Sequence, residues 1–169
     1  MQEQARISPE ERAVNDFKLV YKLFQEIEKI SDKKDFGESF RTRSREAPSF
    51  LYEVGVISAL SFMYAKTEDA DKHTYKIFIN FARNAQIAKE DLEKLNSTAG
   101  GYAAYLYLIL LEMKRLMPGK NLDPSSPISC IDALTGSEIL AILPSLLMPY
   151  LLEIKRLAEA VFPSKEVSR

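Results

Sequence analysis

One cysteine, one histidine and no tryptophan occur in these 169 residues. The lone Cys130 excludes an intrachain disulfide and suits a reducing compartment. The lone His73 leaves no second imidazole for a His-rich metal centre and makes a Ser-His-Asp triad hard to assemble. With 6 Gly and 8 Pro, the chain is neither collagen-like nor of low complexity. It also lacks an excess of either charge. Residues 1–48 carry 10 basic and 10 acidic side chains, residues 49–100 carry 6 and 7, and residues 101–169 carry 7 and 7. Without a basic tail, any electrostatic footprint has to come from the folded arrangement. Long hydrophobic runs are missing too. The longest mainly apolar stretch, Tyr102 to Leu111, is about half the ~20 residues a membrane span needs. The start, MQEQARISPEERAVND, has no apolar h-region, so no signal peptide is expected. These absences predict a cytoplasmic protein that does not engage membranes.

What is present is helical. Apolar residues make up 46% of the chain and charged residues 28%, ordinary for a globular domain of this length. Ser8-Pro9-Glu10-Glu11 is a helix start, with Ser8 as cap, Pro9 in the first position and Glu11 closing a capping box. Val14, Phe17, Val20, Tyr21, Phe24, Ile27 and Ile30 follow at helical spacing, and Asp32-Lys33-Lys34 ends the run. Phe36 to Arg45 reads as a short polar helix. Ala47-Pro48 marks a boundary, because the residue before proline avoids the α region. Pro48 then opens a helix to about Lys66, with Phe50, Leu51, Val54, Ile57, Leu60, Ser61 and Tyr64 on one face. Gly55 lies inside it, which predicts a close approach of another backbone. A fourth helix carries Tyr75, Phe78, Ile79 and Ala82 inward, and Ala88 to Asn96 is a short charged one. Gly100-Gly101 breaks the chain before the apolar helix Tyr102 to Met117. Pro118-Gly119 stops that helix, and a proline-rich loop runs to Pro127. After a short turn or helix from Ile128 to Leu134, Ser137 caps a last helix to Phe162, kinked at Pro144 and Pro149. No period-two alternation is sustained. The expectation is an all-α, single-domain bundle of six to eight helices over residues 9–163. Residues 1–8 are expected to be a flexible start and residues 164–169 a polar tail. The expected core includes Phe17, Val20, Phe24, Leu51, Val54, Leu60, Phe78, Leu106 and Ile109.

Enzyme motifs are missing: no Walker loop, GxGxxG, HExxH, GxSxG or CxxC occurs. Glu68, Asp69 and Asp71 read as a solvated loop capping the next helix rather than a metal cluster. His73 reads as a surface residue, with no nearby Ser or Cys to activate. Cys130 reads as a small hydrophobe. No catalytic residue, cofactor or metal is expected. The aromatics Phe17, Tyr21, Phe24, Phe50, Tyr64, Tyr75, Phe78, Phe81, Tyr102 and Tyr105 fall at helical spacings and read as core. A base-stacking platform calls for exposed aromatics interleaved with basic residues on a sheet, and with no strand expected that reading is set aside. The basic residues fall in groups: Arg41, Arg43 and Arg45, then Lys66, then Lys114-Arg115, then Lys155-Arg156. Guanidinium groups in a fixed frame suit phosphate oxygens, without base readout. The alternative reading is cationic charge complementing helix C-termini, which accounts for Lys114-Arg115.

The stretch Phe40 to Lys66, FRTRSREAPSFLYEVGVISALSFMYAK, resembles the small helical subunit of the Cmr complex, the type III-B CRISPR RNA-guided effector. The shared features are an aromatic (Phe40), a basic stretch (Arg41 to Arg45), Ala47-Pro48, an apolar turn (Phe50-Leu51), Gly55, then Ala59-Leu60, Phe62 and Ala65-Lys66. The resemblance implies a non-catalytic subunit that stacks, copy on copy, into a minor filament beside the backbone subunits holding the guide RNA. Its implied partners are the backbone and large subunits, neighbouring copies of itself, and guide and target RNA. A basic stripe of Arg41, Arg45, Lys66, Lys155 and Arg156 is then the expected RNA contact, holding phosphates while base pairing supplies sequence. Arg43 is set apart, since alternation within a helix turns it away from its neighbours. Two other readings stand beside this one: a stand-alone helical protein–protein adaptor, and a small subunit of another CRISPR effector type.

Overall fold

The structure, a computed structural model, describes residues 7–31, 35–67, 74–83 and 87–164. The Glu68, Asp69 and Asp71 loop, His73, the Asp32-Lys33-Lys34 stop and residues 165–169 lie outside the described residues. Eight α-helices occur among them, with no strand: α1 (Pro9–Ser31), α2 (Phe36–Val54), α3 (Val56–Thr67), α4 (Thr74–Ala82), α5 (Lys89–Glu93), α6 (Ser97–Leu116), α7 (Pro127–Leu134) and α8 (Leu143–Val161). Short 3-10 turns at Pro118–Lys120 and Glu138–Ala141 precede α7 and α8. The all-α bundle expected from the sequence is therefore the observed fold. The capping box forms as read: the Glu11 amide donates to Ser8 Oγ at 3.1 Å, and the Ser8 amide to Glu11 Oε2 at 3.3 Å.

α6 is the axis of the bundle. It packs against α2, α3, α4 and α8, while α1 and α2 both pack on α8. Tyr105, Leu106, Leu108, Ile109 and Leu110 are completely buried along it, and the apolar area they remove from water is the main force holding the layers together. Asn96 caps its start, its side-chain oxygen accepting from the Thr98 and Ala99 amides.

Four expectations about breaks are corrected. Gly100 and Gly101 do not interrupt the chain; α6 runs through both. They permit contact with α2: a Cβ at Gly100 would lie 2.5 Å from the Phe36 ring, and one at Gly101 would lie 3.0 Å from the Phe40 backbone nitrogen. The close approach predicted at Gly55 is thus found at these two glycines instead. Pro48 does not open a helix but sits inside α2. An interior proline costs about 3 kcal/mol. Full burial of Phe36, Phe40 and Leu51, at roughly 1.5–3 kcal/mol each, outweighs it. The segment read as polar is in fact anchored by those two phenylalanines. Gly55 is the joint between α2 and α3, with φ 81° and ψ 162°, and a Cβ there would meet nothing within 4 Å. The joint resets the helical phase, so Val54, expected in the core, is 41% exposed. Phe17, Val20, Phe24, Leu51, Leu60, Phe78, Leu106 and Ile109 are buried as expected, but of the aromatics read as core Tyr21 is 39% exposed and Phe50, Tyr64 and Phe81 are half-buried at the edge of the core. Finally, Pro144 lies in the first turn of α8, where its missing N–H is harmless, and only Pro149 is interior.

Candidate nucleic-acid interface

The run Arg41, Arg43 and Arg45 lies within α2, where 100° per residue puts the first and third on one face and the second opposite. Arg41 and Arg45 face α8. Arg41 Nη1 donates to the Glu159 carbonyl at 3.0 Å and to the Phe162 carbonyl at 2.7 Å, satisfying carbonyls that a helix C-terminus leaves without partners. Arg45 Nε lies 3.5 Å from Glu159 Oε1 and remains largely exposed. Lys155 and Arg156 are on α8, the first half-buried and the second exposed and 3.1 Å from Glu153. Four of the five expected RNA contacts, Arg41, Arg45, Lys155 and Arg156, therefore lie on the packed pair α2 and α8. Their cations alternate with Glu153 and Glu159.

Lys66 is placed elsewhere. It is exposed in the last turn of α3, its Nζ 5.4 Å from the centre of the Phe62 ring. The α2–α3 joint means that no straight helix connects it to the arginine run. It belongs with Arg43, which turns toward α6. The Arg43 guanidinium lies 4.6 Å from the Tyr102 ring centre, donates to the Tyr102 hydroxyl, and is 3.4 Å from Glu46. Between α2, α3 and α6, Arg43, Glu46, Phe62 and Tyr102 border a cleft of about 520 Å³, and Lys66 lies beside it on Phe62.

A separate charged cluster fastens α1 to α6 and α8. Glu112 is fully buried and accepts from Arg12 Nε at 2.9 Å and Arg12 Nη2 at 2.5 Å. Arg115 donates to both oxygens of Asp16, at 2.6 and 2.9 Å, and the Tyr150 hydroxyl donates to Asp16 Oδ2 at 2.6 Å. The hydrogen bond to Glu112 raises the Arg12 pKa against the opposing effect of burial. Burial works to lower that of Arg115, but the hydrogen bond and charge of Asp16 prevail and raise it. Arg115, read from the sequence as helix-end charge, is thus an internal tie. Its partner is 99 positions away, and nothing in the local pattern indicates it. Cys130 is buried, its thiol raised chiefly by desolvation and bonded to the Asp123 carbonyl at 3.1 Å. No group of three or more His, Cys, Asp or Glu suited to a metal occurs among the described residues, and no helix there is long and apolar enough to cross a membrane.

The comparisons with known proteins converge. The family model described as "CRISPR-associated protein (Cas_Cmr5)" matches residues 16–105. The curated protein "CRISPR system CMR subunit Cmr5" of Saccharolobus solfataricus is 29% identical over 154 residues, covering 86% of this chain and 92% of the relative. A chain in a cryo-EM structure of the type III-B Cmr-beta complex bound to non-cognate target RNA superposes with a TM-score of 0.68 at 20% identity, covering 94% of this chain and 99% of that one. A chain of Cmr-beta bound to cognate target RNA and AMPPnP gives 0.57 at 22% identity, covering 88% and 96%. These two superpositions establish a shared helical fold.

Proposed function

Since the chain belongs to the Cas_Cmr5 family of CRISPR-associated proteins, we propose that it is a non-catalytic structural subunit of a type III-B RNA-guided effector. In this reading copies stack beside the guide-RNA backbone and touch target RNA through basic side chains of α2 and α8. The observation that carries the RNA contact is the placement of Arg45 and Arg156 on two packed helices, both exposed and paired, among the described residues, with the carboxylates of Glu159 and Glu153. Exposed pairs of this kind are worth at most about 1 kcal/mol, so phosphates can displace Glu159 and Glu153 at little cost. Lys155 adds a third cation. Arg41, engaged with α8 carbonyls, shapes this surface by holding the two helices together.

Apolar exposure supports the packing half of the proposal. Tyr52, Val54, Ile142 and Leu146 are all exposed where the end of α2 meets the start of α8, and Tyr52 reaches Ser145 across the seam at 3.1 Å. Apolar surface grouped in this way suits contact with protein neighbours, whether copies of the chain or the backbone subunits.

The test is to assemble the effector with an Arg45→Ala, Lys155→Ala, Arg156→Ala variant and to measure target-RNA affinity across salt. Each lost phosphate contact should reduce the salt slope by about one unit and leave sequence preference unchanged. Wild-type affinity and slope in the assembled variant would overturn the RNA contact, and failure of the variant to assemble would make this surface a protein interface, with the adaptor reading replacing the RNA-contact reading.

A further inference from the structure

The cleft between α2, α3 and α6 is chemically unlike the α2–α8 surface. Phe50, Phe62 and Tyr102 contribute rings, with Phe62 5.2 Å from Phe50 and 6.0 Å from Tyr102, both edge-on. Neither pair stacks face to face. Phe62 is 42% exposed, on the face of α3 that also carries Ser58, Ser61 and Lys66. Core packing does not account for a large aromatic left open in this way. Cations flank the rings, Lys66 beside Phe62 and Arg43 beside Tyr102. Glu46 and Glu53 line the same cleft. At about 520 Å³ the space falls in the range of small-ligand sites.

We propose that this cleft takes one unstacked nucleobase of a single-stranded RNA, stacked on Phe62, with Lys66 on the adjoining phosphate. Exposed aromatics beside basic side chains form the arrangement that holds single-stranded bases through their π-faces. The Lys66 ammonium, on a long flexible stem, moves from the ring to the phosphate when a base takes its place. The two glutamates set the preference. Carboxylates accept from exocyclic amines, so adenine, cytosine and guanine are favoured over uracil, which has none. The inference rests on the proposed RNA contact but uses different residues, so the two can fail separately.

The test uses the purified full chain and short single-stranded RNAs carrying one 2-aminopurine. Addition of wild-type protein should change the 2-aminopurine emission, and Phe62→Ala should weaken binding about tenfold while the salt slope stays unchanged. Glu53→Gln should narrow the difference between oligo-A and oligo-U. Because Phe62 is partly exposed, Phe62→Ala is expected to fold. Phe62→Leu, which keeps the packing against Phe50 and loses the π-face, serves as the control and should weaken binding equally. Binding by Phe62→Ala and Phe62→Leu at the wild-type level, while the Arg45, Lys155 and Arg156 variant loses affinity, would overturn the cleft and leave the α2–α8 contact standing. Loss of affinity in neither set would overturn both.

Discussion

Gly55 and Gly101 illustrate two different demands on a glycine, and they predict opposite mutational patterns. At Gly55 the backbone adopts φ 81° and ψ 162° with open space where a side chain would go, a region essentially confined to glycine. Gly55→Ala and Gly55→Leu should therefore cost about the same, roughly 1–3 kcal/mol of backbone strain. A much larger loss for leucine in thermal denaturation would indicate overpacking instead. At Gly101 the added carbon meets the α2 backbone, which cannot swing aside. Gly101→Ala should lower stability by about 1–3 kcal/mol, the usual cost of forcing extra atoms into a packed core, and Gly101→Leu by clearly more. Glu112 makes a third residue-scale prediction. Its removal leaves Arg12 without its buried carboxylate, while Arg115 keeps Asp16, and breaking such a pair costs about 3 kcal/mol. In urea denaturation Glu112→Ala should be strongly destabilised, and the double variant Arg12→Leu, Glu112→Leu should recover part of the loss.

Among the elements, α8 depends most on contacts made at its very end. Phe162, one residue past the helix, packs against Phe17, Tyr21, Phe24 and Phe40. Gly37 on α2 makes room for it: a Cβ at that position would lie 2.2 Å from the Phe162 ring. Arg41 grips the same residue's carbonyl. Phe162→Ala should cost about 3–5 kcal/mol, as for other buried aromatics, and hydrogen exchange should rise first in the last turns of α8. Uniform exchange across α8 in the variant would show that the helix holds without this anchor. Polar effects follow the same geometry. A change at Arg41 disturbs the α2–α8 packing on which Arg45, Lys155 and Arg156 depend, so Arg45 is the cleaner probe of phosphate binding.

At the scale of the whole molecule, buried phenols set an alkaline limit. Burial raises the pKa of Tyr75, Tyr105 and Tyr150, with the Asp16 charge adding to the effect at Tyr150. Above about pH 10, the ordinary tyrosine value, the unfolded chain releases phenolic protons that the folded chain retains. Unfolding is then favoured, so the stability these groups contribute is full below pH 10 and declines as pH rises further. The thermal midpoint should change little through neutrality on their account and fall between pH 10 and pH 11.5. An unchanged midpoint there would mean that the three hydroxyls ionise without unfolding.

The helical class, the capped start of α1, the core role of most apolar positions and the family resemblance in Phe40 to Lys66 were all legible in the sequence. They rest on local spacing and on cap chemistry, which need only neighbours within a turn or two. Arg43's divergence from Arg41 and Arg45 was legible for the same reason, since helical pitch alone determines it. Helix boundaries at Pro48, Gly55 and Gly100-Gly101 were not. Whether a proline is tolerated or a glycine breaks a helix depends on what packs against it, and here Phe36 and Phe40 decide both. The Asp16–Arg115 and Arg12–Glu112 ties, the engagement of Arg41 with α8 and the open ring of Phe62 join residues far apart in the chain. They exist only once α1, α2, α6 and α8 are packed, because long-range charge pairing and exposure are set by tertiary contact and leave no periodic trace in the order of residues.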